Sequence, residues 1–247
     1  MNVNEKININ ELELKQRRFN SAMDLFANKS IYRLIGKIVS FTNVSLQIFL
    51  LWLVFPYSIG PLLQLLSIAA AYLIADFLNG LVHMYLDNND NYGSIAGPFV
   101  AAFHLHHKTP AYKKNSLFTV YYNETGSKIW LVGYLALSAV LIGAVKVNHV
   151  ISYILVYIGI LSSVAEVTHY RCHVPDSLLA KYFGNFSLFL TKRHHGKHHI
   201  DDNVNYAFLN GITDPLLNII AKKYYPGYKN TTDRHYERYT GKGTENR

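Results

Sequence analysis

The chain has 247 residues, 50% of them hydrophobic, 14% aromatic and only 16% charged, where a soluble domain carries about a quarter charged residues. That balance points to a membrane-embedded protein. Its single cysteine, Cys172, excludes an internal disulfide and any thiolate-rich zinc or iron–sulfur site, so a metal here has to be held by histidine and carboxylate.

Residues 1–37 are charged and amphipathic and lack a short apolar core followed by a small-residue cleavage site. No signal peptide is expected, and the segment reads as a cytoplasmic amphipathic arm. The apolar residues then gather in two blocks, Ile38 to Leu86 and Ile129 to Thr168. A helix needs about 20 mainly apolar residues to cross about 30 Å of hydrocarbon, so each block has room for two passes. Helices are predicted near 38–57, 62–86, 129–147 and 149–173, inside a membrane domain of residues 38–226. Pro56 and the "SIGP" turn separate the first pair, and a cut near Asn148 separates the second. A soluble helical core would show polar faces at helical spacing, which these stretches lack. The expected fold class is an all-α integral membrane protein with about four transmembrane helices under a cytoplasmic, histidine-rich cap. Residues 227–247 form a polar tail that is expected to be poorly ordered and unnecessary for the site.

Charge supports the same arrangement. With four passes and a cytoplasmic N-terminus, both termini and the central stretch 87–128 share one side, and of the 24 Lys and Arg only Lys146 falls on the other. The positive-inside rule demands that asymmetry. A net charge of +8 then reads as membrane orientation and attraction to anionic headgroups. No recognition module or aromatic–basic interleaving speaks for nucleic acid.

The twelve histidines are not scattered over this map. His83 lies near the end of the second predicted helix; His104, His106 and His107 sit in "FHLHHKTP"; His169 and His173 close the fourth helix; His194, His195, His198 and His199 follow in "TKRHHGKHHIDD". Only His149 and His235 stand apart. Helical spacing of three and four puts His169 and His173 on one face with Glu166, and pairs His195 with His198 and His199. Asp76, Gly80, His83 and Asp87 form one stripe. Catalytic zinc uses about three protein ligands, so this set overfills one zinc, and the HExxH signature of a zinc peptidase is absent. Two metal ions with about four ligands each fit the count, and imidazole suits iron. A pair of irons at a membrane surface would activate dioxygen, and the local substrate is a C–H bond in a lipid chain. His104 and His194 neighbour this set and are expected in supporting or packing roles. Asp76 is expected to accept a hydrogen bond from a ligand histidine, because carboxylates within a membrane are costly and usually functional.

These residues resemble those of the membrane lipid desaturases, a family that includes plasmanylethanolamine desaturase, the bacterial CarF proteins, the Kua proteins and the plant phosphatidylglycerol palmitate desaturase. The resemblance is carried by D-x-x-x-G-x-x-H-x-x-x-D at Asp76, Gly80, His83 and Asp87, by "HHKTP" with His106 and His107, by "HYRCH" with His169 and His173, and by "HHGKHH" with His195, His198 and His199. It spans roughly Ala71 to Pro226. It implies that these eight histidines are the ligands of a diiron site, with Asp76, Asp87, Glu166, His104 and His194 as supporting groups or further ligands. The implied reaction uses O2 and two Fe ions to remove two hydrogens from a phospholipid-bound chain, giving a vinyl ether in one branch and an acyl double bond in another. It also implies an external electron donor, a b-type cytochrome or ferredoxin-like protein, since nothing here resembles a haem or flavin domain. Three positions depart from the pattern: Glu166 stands where the ether-lipid desaturases have an amide, Met84 replaces a tryptophan, and His104 precedes the central pair. A diiron lipid or sterol hydroxylase is the nearest alternative, and a metal permease or membrane scaffold is the non-enzymatic one.

Overall fold

The computed structural model describes residues 9–108, 114–174, 188–201, 203–226 and 239. Among them every regular element is helical: α1 (Ile9–Asn28), α2 (Ser30–Val54), α3 (Pro61–Asn88), α4 (Gly97–Lys108), α5 (Leu117–Glu124), α6 (Ile129–Val140), α7 (His149–His173), α8 (Lys192–Ile200) and α9 (Asp214–Tyr224). Local chemistry sets several of these boundaries. Gly60 at φ 77° and Pro61 open α3, as suits a residue free of Cβ followed by one that fixes φ. The side chains of Asn148, Ser116 and Thr191 accept from the first-turn N–H groups of α7, α5 and α8, satisfying donors that have no helical partner. After α6 a π-helical turn, Leu141–Val145, ends at Lys146 with φ 55°, which breaks the helix just before Asn148 starts the next.

α2, α3 and α7 are each long and apolar enough to cross a membrane. Their contacts give directions. Gln64 meets Tyr157, Asn79 meets Ser162 and His83 lies beside His169, so α3 and α7 run parallel and end at one face. α2 opposes α7, because Gln47 bonds Ser163 while Val54 receives a bond from Tyr153. α6 opposes it too, with Lys128 beside Glu166 and Tyr134 bonded to the Leu155 carbonyl. Between two parallel helices the chain has to return once. Ile129–Val145 makes that return, and it meets Leu117–Ser127 at a 91° bend. Among the described residues the molecule thus has the helices of a multi-pass membrane protein, three straight candidate spans and a fourth if the bent pair is counted as one. Phe41, Ile48, Trp52, Phe55, Leu62 and Leu65 point outward from α2, α3 and the turn between them as a lipid-facing surface.

Buried backbone that leaves a helix needs other hydrogen-bond partners. At the bend, buried Asn43 of α2 donates to the carbonyls of Thr125 (3.3 Å) and Lys128 (3.1 Å). Gly126 lets the bend press onto α2, since a Cβ there would sit 2.7 Å from the Gly36 carbonyl oxygen and from Ser40 Oγ.

The N-terminal arm is packed. Phe19, Ala22 and Met23 of α1 bury against Tyr92 and against Val100, Ala101 and Leu105 of α4, and Lys15 pairs with Asp90 at 2.6 Å. Of the 227–247 tail only Tyr239 is described; it is buried, with its ring edge-on to Phe19 at 5.7 Å. The expected disorder of the tail, and His235, otherwise lie outside the described residues.

Candidate metal centre

Four helices bring their histidines to the face where α3 and α7 end. On α3 the i,i+4 spacing sets His83 Nε2 3.2 Å from Asp87 Oδ2. On α7 the same spacing sets His169 Nε2 3.1 Å from His173 Nε2. α8 turns His195 and His198 inward, fully buried, and exposes Lys192, Arg193 and Lys197 on its outer side. On α4, adjacent His106 and His107 diverge by about 100° of helical turn and so enter different groups.

Two groups result: His106, His169, His173 and His195, and His83, Asp87, His107 and His198, each with its ligating atoms within 4.8 Å of one another. In the second group Asp87 lies 3.2 Å from the Nε2 atoms of His83, His107 and His198. In the first, His195 Nε2 lies 3.0 Å from His173 Nε2. His199 stands at the seam: its Nε2 is 2.9 Å from His195 Nε2, and its ring centroid is 4.7 Å from that of His107.

The outer ring nitrogens explain the aim of the inner ones. His83 Nδ1 bonds the Tyr206 carbonyl (2.7 Å), His198 Nδ1 that of Val204 (2.9 Å) and His106 Nδ1 that of Phe103 (2.5 Å). A carbonyl only accepts, so each Nδ1 carries the proton and each Nε2 presents a lone pair. His83 Nε2, His106 Nε2 and Asp87 Oδ2 are buried without a hydrogen-bond partner, an expensive condition that a cation relieves. Burial first, and neighbouring imidazoles second, hold His106, His195 and His199 well below the usual histidine range. They are neutral, the form in which imidazole binds metal. The residues present thus fit a metal pair.

A loop after α8 supports the rings. Asn203 (φ 55°), Asn205 (φ 59°) and Gly211 (φ 88°) adopt left-handed backbone and curl residues 203–213 under the site. Phe208 stacks on His169 at 4.0 Å and 11°. Asp76 secures this loop: its carboxylate accepts from the backbone N–H of Leu209 (3.2 Å), Asn210 (3.0 Å), Gly211 (3.3 Å) and Thr213 (3.1 Å), and from the Thr213 hydroxyl (2.7 Å). The expected bond from a ligand histidine to Asp76 is therefore corrected: Asp76 lies about two turns below His83 on α3 and meets the loop. Gly80 lets α9 and the loop approach, since a Cβ there would sit 2.3 Å from Leu217 Cδ1 of α9 and 3.4 Å from the Ala207 backbone of the loop.

His104 and His194 point elsewhere. His104 bonds the Tyr92 hydroxyl (2.6 Å) and the Leu86 carbonyl (2.8 Å), and burial lowers its pKa. His194 Nε2 bonds Asp214 Oδ2 at 2.5 Å. Glu166 joins neither group; its Oε1 pairs with Lys128 at 2.9 Å and its Oε2 lies 3.8 Å from His169 Nδ1. Sequence reasoning missed Lys128, Phe208, Asp214 and the carbonyls of Val204 and Tyr206. The turn residues of "NVNYAFLNGITDP" were the available signal for all but Lys128.

No curated protein and no solved structure matches the chain. A family model described as the lipid desaturase domain matches residues 72–222, a stretch that runs from α3 into α9 and holds both ligand groups. The match covers more than half of the sequence, and the chain belongs to the lipid desaturase domain family.

Proposed function

We propose that this protein is an oxygen-dependent lipid desaturase that holds two irons and acts on an alkyl or acyl chain of a membrane phospholipid. His106, His169, His173 and His195 would hold one iron, His83, Asp87, His107 and His198 the other, with His199 within reach of both. The observation that carries the reading is the pair of buried ligand groups at the ends of two membrane spans within a lipid desaturase domain. A bound iron pair supplies dioxygen reduction strong enough to draw hydrogen from an unactivated C–H bond. In net terms two hydrogens leave neighbouring carbons as a double bond forms, and O2 takes two electrons from the lipid and two from a donor, with two further protons, to give two waters.

The chain's own groups keep the ring nitrogens aimed inward, supply one carboxylate charge through Asp87 and exclude bulk water by burial. Electrons then come from a b-type cytochrome or ferredoxin-like partner at the same face, which we assign to the cytoplasmic side on the distribution of Lys and Arg. A permease would string its ligands along a path through the membrane, whereas these gather at one end of α3 and α7. Lipid analysis of cells with and without the protein tests the reading, with separate readouts for vinyl ethers and acyl double bonds. A new double bond in either class, dependent on O2, is the expected result. A hydroxylated lipid would favour the hydroxylase reading, and an unchanged lipid profile in cells making the metal-loaded protein would contradict both.

A further inference from the structure

A buried lysine requires a partner. Lys128 sits at the bend between α5 and α6, 4% exposed. Its Nζ contacts Glu166 Oε1 at 2.9 Å and donates to Asn79 Oδ1. Asn79 is fixed in turn, donating to Ser162 Oγ at 3.0 Å and the Ala75 carbonyl at 2.7 Å. The rings of Trp130 and Phe208 flank the ammonium at 5.5 and 5.9 Å. The other oxygen of Glu166 faces the Nδ1 edge of His169 at 3.8 Å, while His169 Nε2 faces His173. One lysine is thus linked through one carboxylate to a ring of the all-imidazole group.

Stability alone gives a weak reason for this pair. Two buried charges replaced by apolar side chains of similar volume commonly leave a protein equally or more stable. Beside a metal-ligating histidine, a carboxylate at the outer nitrogen fixes the tautomer, orients the ring and raises its basicity. The Asp87 group carries its carboxylate among the ligands; among the described residues the all-imidazole group has its carboxylate on Glu166, at the outer edge of His169.

We propose that Lys128 and Glu166 are a positioning pair for metal binding at His169: Lys128 holds the Glu166 carboxylate at the Nδ1 edge and so keeps Nε2 as the ligating nitrogen. The bend delivers Lys128 to that place. This rests on the reading of His169 as a metal ligand given above.

The test is a Co(II) titration of the purified full-length protein in detergent, followed by visible absorption, on wild type and on Lys128→Met, Lys128→Arg, Glu166→Gln and the double variant Lys128→Met/Glu166→Gln. Wild type should bind two Co(II). Glu166→Gln and the double variant should bind one of them about 10- to 100-fold more weakly, with a shifted absorption band, and Lys128→Arg should stay close to wild type. The double variant leaves no unpaired charge, so it separates metal positioning from folding. If it does not purify as a monodisperse protein, Glu166→Asp replaces it, withdrawing the carboxylate from His169 by one methylene; weakened binding supports the pair and unchanged binding overturns it. Wild-type affinity and spectrum in the double variant would make the pair purely structural and overturn the proposal while leaving the desaturase reading intact. A wild-type protein that binds no Co(II) would overturn both.

Discussion

The two ligand groups share helices but differ in chemistry. α4 and α8 serve both, giving His106 and His195 to one and His107 and His198 to the other. α7 completes the first with two more imidazoles, whereas α3 completes the second with His83 and Asp87. One group therefore has an anion among its ligating atoms, and among the described residues the other has Glu166 one layer out, 3.8 Å from His169 Nδ1. Their supports differ as well: carbonyls of the 203–213 loop orient His83 and His198, while Phe208 and Glu166 bracket His169. Similar rings thus make two unequal sites, and the Asp87 group should hold a divalent cation more tightly.

The inequality can be broken from either side. Asp87→Asn should have the largest effect, since one charge faces three imidazole nitrogens at 3.2 Å; metal analysis should give half the wild-type content and lipid analysis no turnover. Full metal retention would mean that the anion does not distinguish the groups. Asp76→Asn should follow, lowering stability by about 2–3 kcal/mol, because a buried charged acceptor of five hydrogen bonds is replaced by a neutral amide. Thermal unfolding in detergent reads that loss, and metal should leave the Asp87 group first as the loop carbonyls loosen. His194→Ala should cost about 1–3 kcal/mol, because buried Asp214 loses its partner at Oδ2, and keep both metals, where His195→Ala loses metal from the all-imidazole group. The smallest effect is expected at Gly196, where a Cβ would meet nothing within 4 Å. Gly196→Ala should raise stability by about 0.5–1 kcal/mol through helix propensity and leave metal content unchanged. Lost metal there would show that α8 cannot stiffen without disturbing the site.

Spacing within one helix was legible in the sequence. The apolar blocks, the helical class, the His169–His173 face and the His83–Asp87 stripe all follow from periods that a helix imposes. What spacing does not carry is which helix faces which. His106 and His107 are neighbours in sequence yet join different groups, a division set by where α3, α7 and α8 stand around α4. Asp76 shared the His83 stripe, but its partners lie more than 130 residues away, in a loop whose left-handed asparagines only hint at a tight path. In the sequence Lys128 is one more basic residue at the end of the central stretch 87–128. Its burial depends on the bend at Thr125–Lys128, and no local signal in the sequence marks that bend.

The most direct test of the central claim is elemental analysis of the purified, full-length protein, with iron and zinc quantified per folded chain. Two buried groups of four ligating residues predict about two irons per chain and little zinc. One zinc with no iron, or no metal in a protein that remains folded, would contradict the account.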